Sequence, residues 1–169
     1  MNKNPGSARS RARPSPPFLA TRGGQYLTFA LGPVECAIEI LKVQDIVGMM
    51  PVTLRAGVPD FIRGNITLRG NAIPLVDLRA RLSLPPQDET ENTCIIVVET
   101  AGTDHPVTTG LLVDTVREVS EIPEEQLLPP QDTGAPIPPE FVLAMAHAGG
   151  TRLLVLDIER VLEPASSRP

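Results

Sequence analysis

Apolar and polar positions alternate along several short stretches of the chain. The clearest alternation runs from Tyr26 to Leu31, breaks at Gly32-Pro33 and resumes from Val34 to Ile38. A repeat of two is typical of a half-buried strand, and Gly-Pro favours a turn. The pattern therefore predicts a β-hairpin in which Phe29 faces the core.

A second hairpin is predicted around Arg69-Gly70-Asn71. Apolar strand residues stand on both sides, from Ile66 to Leu68 and from Ala72 to Val76, and glycine and asparagine suit a tight turn. Because Pro74 donates no ladder hydrogen bond, its strand is expected at a sheet edge or a bulge.

The other segments are short and broken by glycine and proline. Spacing is irregular from Ile40 to Gly48, which indicates a turn or a distorted strand. Single predicted elements follow along the chain: a helical turn at Pro59–Ile62, a buried strand at Thr93–Glu99, a long or bent strand region at Val107–Val119, a Pro-rich irregular stretch at Pro123–Pro139 and a strand at Arg152–Leu156.

Residues 69–82 and 149–162 share one pattern: a turn, a strand, an aspartate and a short amphipathic segment. Asp77 and Asp157 are predicted N-caps of short helices, the first running to Leu84 and the second to Leu162. This repeat predicts two related halves in an all-β, barrel-like architecture with helices as plugs. The expected boundary lies between Leu84 and Thr93, with terminal strands able to cross between the lobes.

Charge divides the chain into two parts. The first 24 residues hold five basic residues and no acid (Lys3, Arg9, Arg11, Arg13 and Arg22), which leaves 10 basic against 20 acidic residues in the remainder. The Pro/Ser/Gly-rich head lacks the apolar run of a signal peptide, so residues 1–24 are predicted to be a disordered, solvated tail, as are residues 164–169. Contact of this head with nucleic acid or anionic lipid is a less favoured alternative.

The chemistry-bearing residues do not form a known catalytic or metal pattern. Cys36 and Cys94 stand far apart in apolar segments, which favours buried thiols in a reducing cytoplasm. His105 and His147 have no second ligand at metal spacing, and Asp114 is expected at a solvated strand edge or turn. We therefore predict no catalytic residue, no metal and no cofactor. The folded part is acidic and poor in aromatic residues, which argues against nucleic-acid binding. The sequence contains no run of 18 apolar residues, so no membrane-spanning segment is predicted.

Arg69 is the polar residue that core formation explains least. It lies in a tight turn between apolar strands with no acid close in sequence. An ordinary exposed turn arginine and an interface arginine both fit this position, because arginine is enriched at binding hot spots.

Seven ordered sequence blocks resemble the CheW-like chemotaxis coupling proteins, over roughly residues 25–163. They are Tyr26–Gly32, Ile38–Ile46, Pro59–Gly64, Leu68–Gly70, Ile73–Leu78, Gly110–Val119 and Arg152–Glu159. The resemblance implies two SH3-like five-stranded β-barrels packed around a shared hydrophobic core. It also implies a non-enzymatic adaptor that binds the cytoplasmic tip of methyl-accepting chemoreceptors and the regulatory domain of a CheA-type histidine kinase.

The same resemblance implies a binding site and a location. Arg69 matches the arginine of the family's Leu-Arg-Gly motif, and Val43 and Asp45 match the receptor-contact side, where Asp45 replaces a usual glutamate. Gly64 matches the turn ahead of the strand that leads to Arg69. The expected location is the cytoplasm, at receptor arrays on the inner membrane. A related adaptor in twitching motility, development or second-messenger signalling remains the alternative, and so does a small enzyme or ligand-binding barrel that uses the groove between the lobes.

Overall fold

The computed structural model describes residues 21–102, 104–130, 137–148 and 150–163. Residues 1–20 and 164–169, which make up most of both predicted tails, lie outside this part. Ten strands and two short helices are present in the described residues: β1 (Gly24–Leu31), β2 (Val34–Glu39), β3 (Val43–Gly48), β4 (Ile62–Leu68), β5 (Asn71–Asp77), α1 (Leu78–Arg81), β6 (Cys94–Thr100), β7 (Val107–Val113), β8 (Thr115–Ile122), β9 (Val142–Ala148), β10 (Thr151–Leu156) and α2 (Ile158–Leu162).

The strands form two five-stranded sheets. The central lobe has the order β3-β6-β7-β5-β4, and the terminal lobe has the order β8-β1-β2-β10-β9. Both predicted hairpins are present as β1–β2 and β4–β5, with Phe29 fully buried. The all-β prediction with two five-stranded units is confirmed.

The predicted boundary between Leu84 and Thr93 is wrong. Strands β6 and β7 follow it in sequence but pair with β3 and β5, so the central lobe is one continuous stretch from β3 to β7. The β1–β2 hairpin instead completes the terminal lobe, where β2 pairs in parallel with β10. The N-terminal strands do cross between the lobes, because β1 pairs with β8 and β2 with β10 of the C-terminal part of the chain.

The sequence repeat marks equivalent positions in the two lobes. Asp77 and Asp157 each accept a hydrogen bond from a backbone N–H three residues later, at 3.3 and 3.1 Å, which confirms both helix caps. Each also donates its own backbone N–H to a phenylalanine carbonyl, that of Phe61 at 2.7 Å and that of Phe141 at 2.8 Å. The guanidinium of Arg81 lies over both rings, 5.0 and 4.5 Å from their centroids.

The largest hydrophobic cluster is shared between the lobes. It joins Phe29 and Ile38 of the terminal sheet to Ile96 and Leu111 of the central sheet, and it includes the buried Cys36. Two smaller clusters are each confined to one lobe. Since neither sheet can cover both of its faces alone, the shared cluster fixes the lobes against each other.

Several local expectations need correction. Pro74 is not in an edge strand, since β5 lies between β4 and β7. The Pro74 nitrogen carries no hydrogen to donate, and this is tolerated because pairing with β7 begins only at Leu75. Helix α1 ends at Arg81 rather than Leu84. Pro59–Ile62 forms the single turn that was expected, closed by a hydrogen bond from the Ile62 N–H to the Pro59 carbonyl oxygen at 3.0 Å. Strand β9 was not predicted, because its alanine-rich sequence neither alternates nor carries many β-branched residues.

The irregular segment after Ile38 is a turn followed by a strand. Residues Ile40–Lys42 form a single 3₁₀ turn, and β3 begins directly after it. Lys42 holds this turn to α2 through an ion pair with Glu159 at 2.8 Å. The register of β3 against β6 shifts between Val43 and Asp45, so Gln44 is the extra residue of a bulge.

Candidate functional site

Arg69 lies at the tip of the β4–β5 hairpin with most of its side chain in solvent. The side chain is 73% exposed, and the backbone has φ 51°, a left-handed conformation that non-glycine residues rarely adopt. The hydrogen-bonding fork of the guanidinium is therefore presented outside the core, at a position fixed by the turn.

Asp45 is the partner of Arg69. Its Oδ2 atom accepts a hydrogen bond from Arg69 Nη2 at 2.7 Å, and its Oδ1 atom accepts one from the Ile46 backbone at 2.9 Å. The hydrogen bond from Arg69, followed by that from Ile46, holds the pKa of the Asp45 carboxyl below its usual range. The two residues are 24 positions apart, so their pairing could not be found by looking for a nearby acid.

The Arg69–Asp45 pair also joins two edges of one sheet. Asp45 lies on β3 and Arg69 follows β4, and these strands are the two outer strands of the central lobe. A contact between the outer strands of a sheet requires the sheet to curl, as it does in a small barrel. The pair therefore lies on the rim where the central lobe closes.

Val43 and Gly64 lie in different surroundings from this pair. Val43 is half-buried at the start of β3 and packs against the shared core, opposite Val98. Gly64 is buried with φ 145°, and a Cβ atom there would lie 2.2 Å from the Thr53 carbonyl oxygen. That close approach allows Thr53 and Asn65 to exchange two backbone hydrogen bonds of 2.8 Å. Of the four residues from the sequence, the structure brings Arg69 and Asp45 together and gives Gly64 a packing role.

A second ion pair, missed in the sequence, lies between the lobes. Arg79 of α1 is almost completely buried and binds Asp114, which stands in the connection from β7 to β8. The Nε–Oδ1 distance is 2.9 Å, and a second, shorter contact joins Nη2 to Oδ2. Asp114 also accepts the backbone N–H of Gly32 at 2.6 Å. The expectation of a solvated Asp114 is wrong, because its side chain is only 27% exposed and pairs with the buried Arg79.

Arg79 satisfies its remaining donors in the segment after α1. It donates to the Pro85 carbonyl oxygen at 2.8 Å and to the Gln87 side chain at 2.6 Å. Its pKa is raised, first by the hydrogen bond to Asp114. Burial alone would raise the pKa of Asp114, but the hydrogen bonds from Arg79 and Gly32 outweigh burial and lower it. One signal was available in the sequence. Arg79 stands between Leu78 and Ala80 in a short apolar segment, and a buried arginine needs a partner.

A polar cleft of about 210 Å³ opens beside this buried pair, lined in part by Asp88, Thr90, Asn92 and Arg117. The buried charges beside the cleft, Arg79 and Asp114, already neutralise each other, which favours a structural role for this pair. The described residues contain no group of three or more His, Cys, Asp or Glu side chains that could hold a metal ion. Cys36 and Cys94 are free thiols; the first is fully buried and the second half-buried.

No helix in the part of the chain that the structure describes is long and apolar enough to cross a membrane. His147 lies in β9 with its side chain exposed, and His105 lies in the exposed β6–β7 connection. Among the described residues, no hydrogen bond or ion pair joins either histidine to Arg69 or Asp45.

Two curled five-stranded sheets with a common core and an exposed charged rim define a two-barrel binding protein. The model of the CheW-like domain family matches residues 25–166, and the chain belongs to this family. Chemotaxis protein CheW of Klebsiella aerogenes is 35% identical over 142 residues, which cover 84% of this chain and 83% of that protein. Protein FrzA of Myxococcus xanthus is 28% identical over 162 residues, 94% of this chain and 92% of that protein.

A solved relative has the same architecture. The crystal structure of the scaffolding protein TtCheW from Thermoanaerobacter tengcongensis superposes with a TM-score of 0.74 at 27% identity, covering 84% of this chain and 89% of that one. Its fold of two SH3-like barrels is therefore also the fold of this chain. The predicted function class, an adaptor in chemotaxis signal transduction, is confirmed by these relatives.

Proposed function

We propose that this chain couples the cytoplasmic tip of methyl-accepting chemoreceptors to the regulatory domain of a CheA-type histidine kinase without catalysing a reaction itself. The observation that carries this proposal is the exposed Arg69–Asp45 pair on the rim of the central lobe. Family membership supports the choice of partners, and the rim supplies a surface that the core does not need.

The geometry of Arg69 favours binding over a purely structural role. A left-handed conformation costs a non-glycine residue about 1–2 kcal/mol, yet arginine occupies a place where glycine or asparagine would be easier. Only one of its five N–H donors binds Asp45, so the remaining donors face solvent in a held orientation. A preoriented guanidinium loses less entropy when a partner binds.

The neighbouring residues extend this surface. Ile46, next to Asp45, is 43% exposed, and Val43 is half-buried at the start of the same strand. We infer that Val43, Asp45 and Arg69 contact the receptor, while Gly64 keeps β4 in place beneath the hairpin. Each such contact is individually weak and gains strength when many copies assemble in an array.

Titration calorimetry with a receptor-tip fragment and, separately, with the kinase regulatory domain tests the proposal. We expect Arg69→Ala to weaken receptor binding about tenfold or more, the scale of a hot-spot residue. Arg63→Ala is the matched control, because Arg63 lies in the same hairpin and pairs with Asp77 at 3.2 Å, away from the tip. Failure of the folded wild-type protein to bind either partner would contradict the proposal.

Location follows from the same partners. We infer that the protein resides in the cytoplasm and gathers at receptor arrays on the inner membrane. A fluorescent fusion expressed in the source cell should form membrane-associated clusters, and Arg69→Ala should disperse them. Uniform fluorescence of the wild-type fusion would speak against recruitment to arrays.

A related signalling pathway is the second candidate. Protein FrzA aligns with 94% of this chain, and its name stands apart from the chemotaxis proteins among the relatives. The same adaptor surface would then join a different receptor and kinase pair. Co-purification from the source cell separates the two, because it identifies both partners directly.

A further inference from the structure

The Ile40–Lys42 turn carries the chain from the terminal lobe to the central lobe. It follows β2 and leads directly into β3, which begins at Val43. None of its three residues is buried, and Leu41 is 93% exposed. Glu39, which precedes the turn, makes no side-chain capping bond, and the internal hydrogen bond runs from the Val43 N–H to the Ile40 carbonyl oxygen. Burial of its own side chains therefore fixes this turn only in part.

Strand β3 is itself weakly held at its beginning. It is an outer strand of the central lobe, and it pairs with β6 on one side. The bulge at Gln44 interrupts that pairing between Val43 and Asp45, so the first residue of the strand lies next to the break. The start of β3 thus depends on contacts from outside the strand.

A carboxylate of the terminal lobe supplies such contacts. Glu159 of α2 accepts a hydrogen bond from Lys42 Nζ at its Oε2 atom, at 2.8 Å. The same carboxylate accepts the Ala101 backbone N–H, at 3.3 Å to Oε1 and 3.2 Å to Oε2. Because Ala101 follows β6, one side chain joins the beginning of β3 to the end of the strand that pairs with it.

Helix α2 is a firm base for this carboxylate. Three of its five residues are buried in the shared core, and the Asp157 cap holds its first turn. Arg81 of α1 donates its Nε–H to the Val161 carbonyl oxygen at 2.7 Å, which ties α2 to the central lobe as well. A side chain on an element held in this way can fix the position of a less buried turn.

We propose that Glu159 is a positioning residue for the receptor-binding surface. It acts through Lys42, which it holds at the junction of the lobes, and so places Val43 and Asp45 at the start of β3. Among the described residues, no hydrogen bond or ion pair joins Glu159 to Arg69 or Asp45, so its effect on the receptor is indirect. A surface that is already ordered loses less entropy when a partner binds. The inference rests on the proposed receptor binding and adds to it a residue of the other lobe.

Receptor binding and hydrogen exchange of the full chain test this role. Glu159→Ala should weaken binding of a receptor-tip fragment about threefold to tenfold in titration calorimetry, the range for a residue that acts through its neighbours. Backbone amides of residues 40–46 and of Ala101 should exchange faster with solvent, because the turn opens locally. The urea midpoint should stay close to that of the wild type, since the Lys42–Glu159 pair is partly exposed.

Two further variants separate positioning from a general loss of charge. Glu140→Ala is the matched control, because Glu140 pairs at 3.9 Å with Arg160 of its own lobe, and receptor affinity should not change. Exchanging the two charges, with Lys42→Glu and Glu159→Lys together, re-forms an ion pair across the lobes. This double variant should bind the receptor tip more tightly than Glu159→Lys alone. A role of Glu159 confined to α2 predicts no such rescue.

The outcomes distinguish this inference from the proposed function. If the wild type binds the receptor tip and Glu159→Ala binds it equally well, the positioning role is overturned and the proposed function stands. Unchanged hydrogen exchange at residues 40–46, or a fall in the urea midpoint as large as that of a core truncation, would also overturn the positioning role. A wild type that binds no receptor tip contradicts the proposed function, and the positioning role falls with it.

Discussion

Two of the arginine–aspartate pairs among the described residues differ in the burial of the arginine and in the role they play. Arg79 and Asp114 meet between the lobes, with side chains 9% and 27% exposed. Arg69 and Asp45 meet on the rim of one lobe, where the arginine is 73% exposed. The buried pair connects α1, the β7–β8 connection and the Gly32 turn, whereas the exposed pair connects two outer strands and leaves donors in solvent.

The difference follows from the surroundings of each charge. A buried ion needs all its hydrogen bonds satisfied, and removing either partner leaves an uncompensated charge. An exposed pair gains little, because water competes for both groups and salt screens them. We therefore expect the Arg79 pair to support the fold and the Arg69 pair to be available to a partner.

Truncation of the shared core sets the scale for this comparison. Phe29→Ala is expected to lower the free energy of unfolding by about 3–5 kcal/mol, because the ring is fully buried in the cluster that both lobes share. Urea denaturation followed by circular dichroism measures the loss. A neutral result would refute the placement of the ring in the core.

Loss of the buried arginine is expected to come next. Arg79→Met should lower the free energy of unfolding by about 3 kcal/mol, since it leaves the half-buried Asp114 carboxylate without its main partner. The double variant Arg79→Met/Asp114→Leu should recover part of this stability, because no unpaired charge remains. If the single variant unfolds like the wild type, the pair does not support the fold.

The pH dependence of stability should distinguish the two aspartates. The pKa of Asp114 is lowered in the folded protein, so its contribution is present above the ordinary aspartate pKa of about 3.9 and is lost as pH falls through the lower folded value. Wild type and Asp114→Asn should therefore differ most near neutral pH and converge on acidification below about pH 4. Thermal unfolding from about pH 2 to about pH 7 measures the difference.

Asp45→Asn provides the comparison for that experiment. The pKa of Asp45 is also lowered, chiefly by Arg69, but the pair lies in solvent, which screens its contribution to stability. The gap between wild type and Asp45→Asn should be small at every pH. A gap as large as that of Asp114→Asn would show that the rim pair is also structural.

The smallest effect on folding is expected at the hairpin tip. Arg69→Ala should change the free energy of unfolding by less than about 1 kcal/mol, because the pair is exposed. Arg117→Ala is a suitable reference, since Arg117 is 51% exposed and pairs with Glu35 at 3.0 Å on the other lobe. A loss comparable to that of Phe29→Ala would assign Arg69 to the fold instead of to binding.

Local sequence patterns were sufficient where the cause is local. Alternation with a Gly-Pro break predicted β1 and β2, and an aspartate before a short amphipathic segment predicted both helix caps. Of the four site residues, Arg69 was singled out by its position in a tight turn, whereas the other three came from resemblance to a family. Their proximity was not predictable from the sequence alone, because Asp45 and Arg69 lie on strands that meet only when the sheet curls.

The sequence by itself determined the strand-rich class of this protein, its repeated β-strand and helix unit and its acidic folded part with a basic head. The tertiary structure alone decided which strands share a sheet, because β1 and β2 have alternation that would fit either lobe. It likewise decided that Asp114 pairs with a buried arginine and Asp45 with an exposed one. Burial of a charge depends on which distant segment packs over it, and no short stretch of sequence records that.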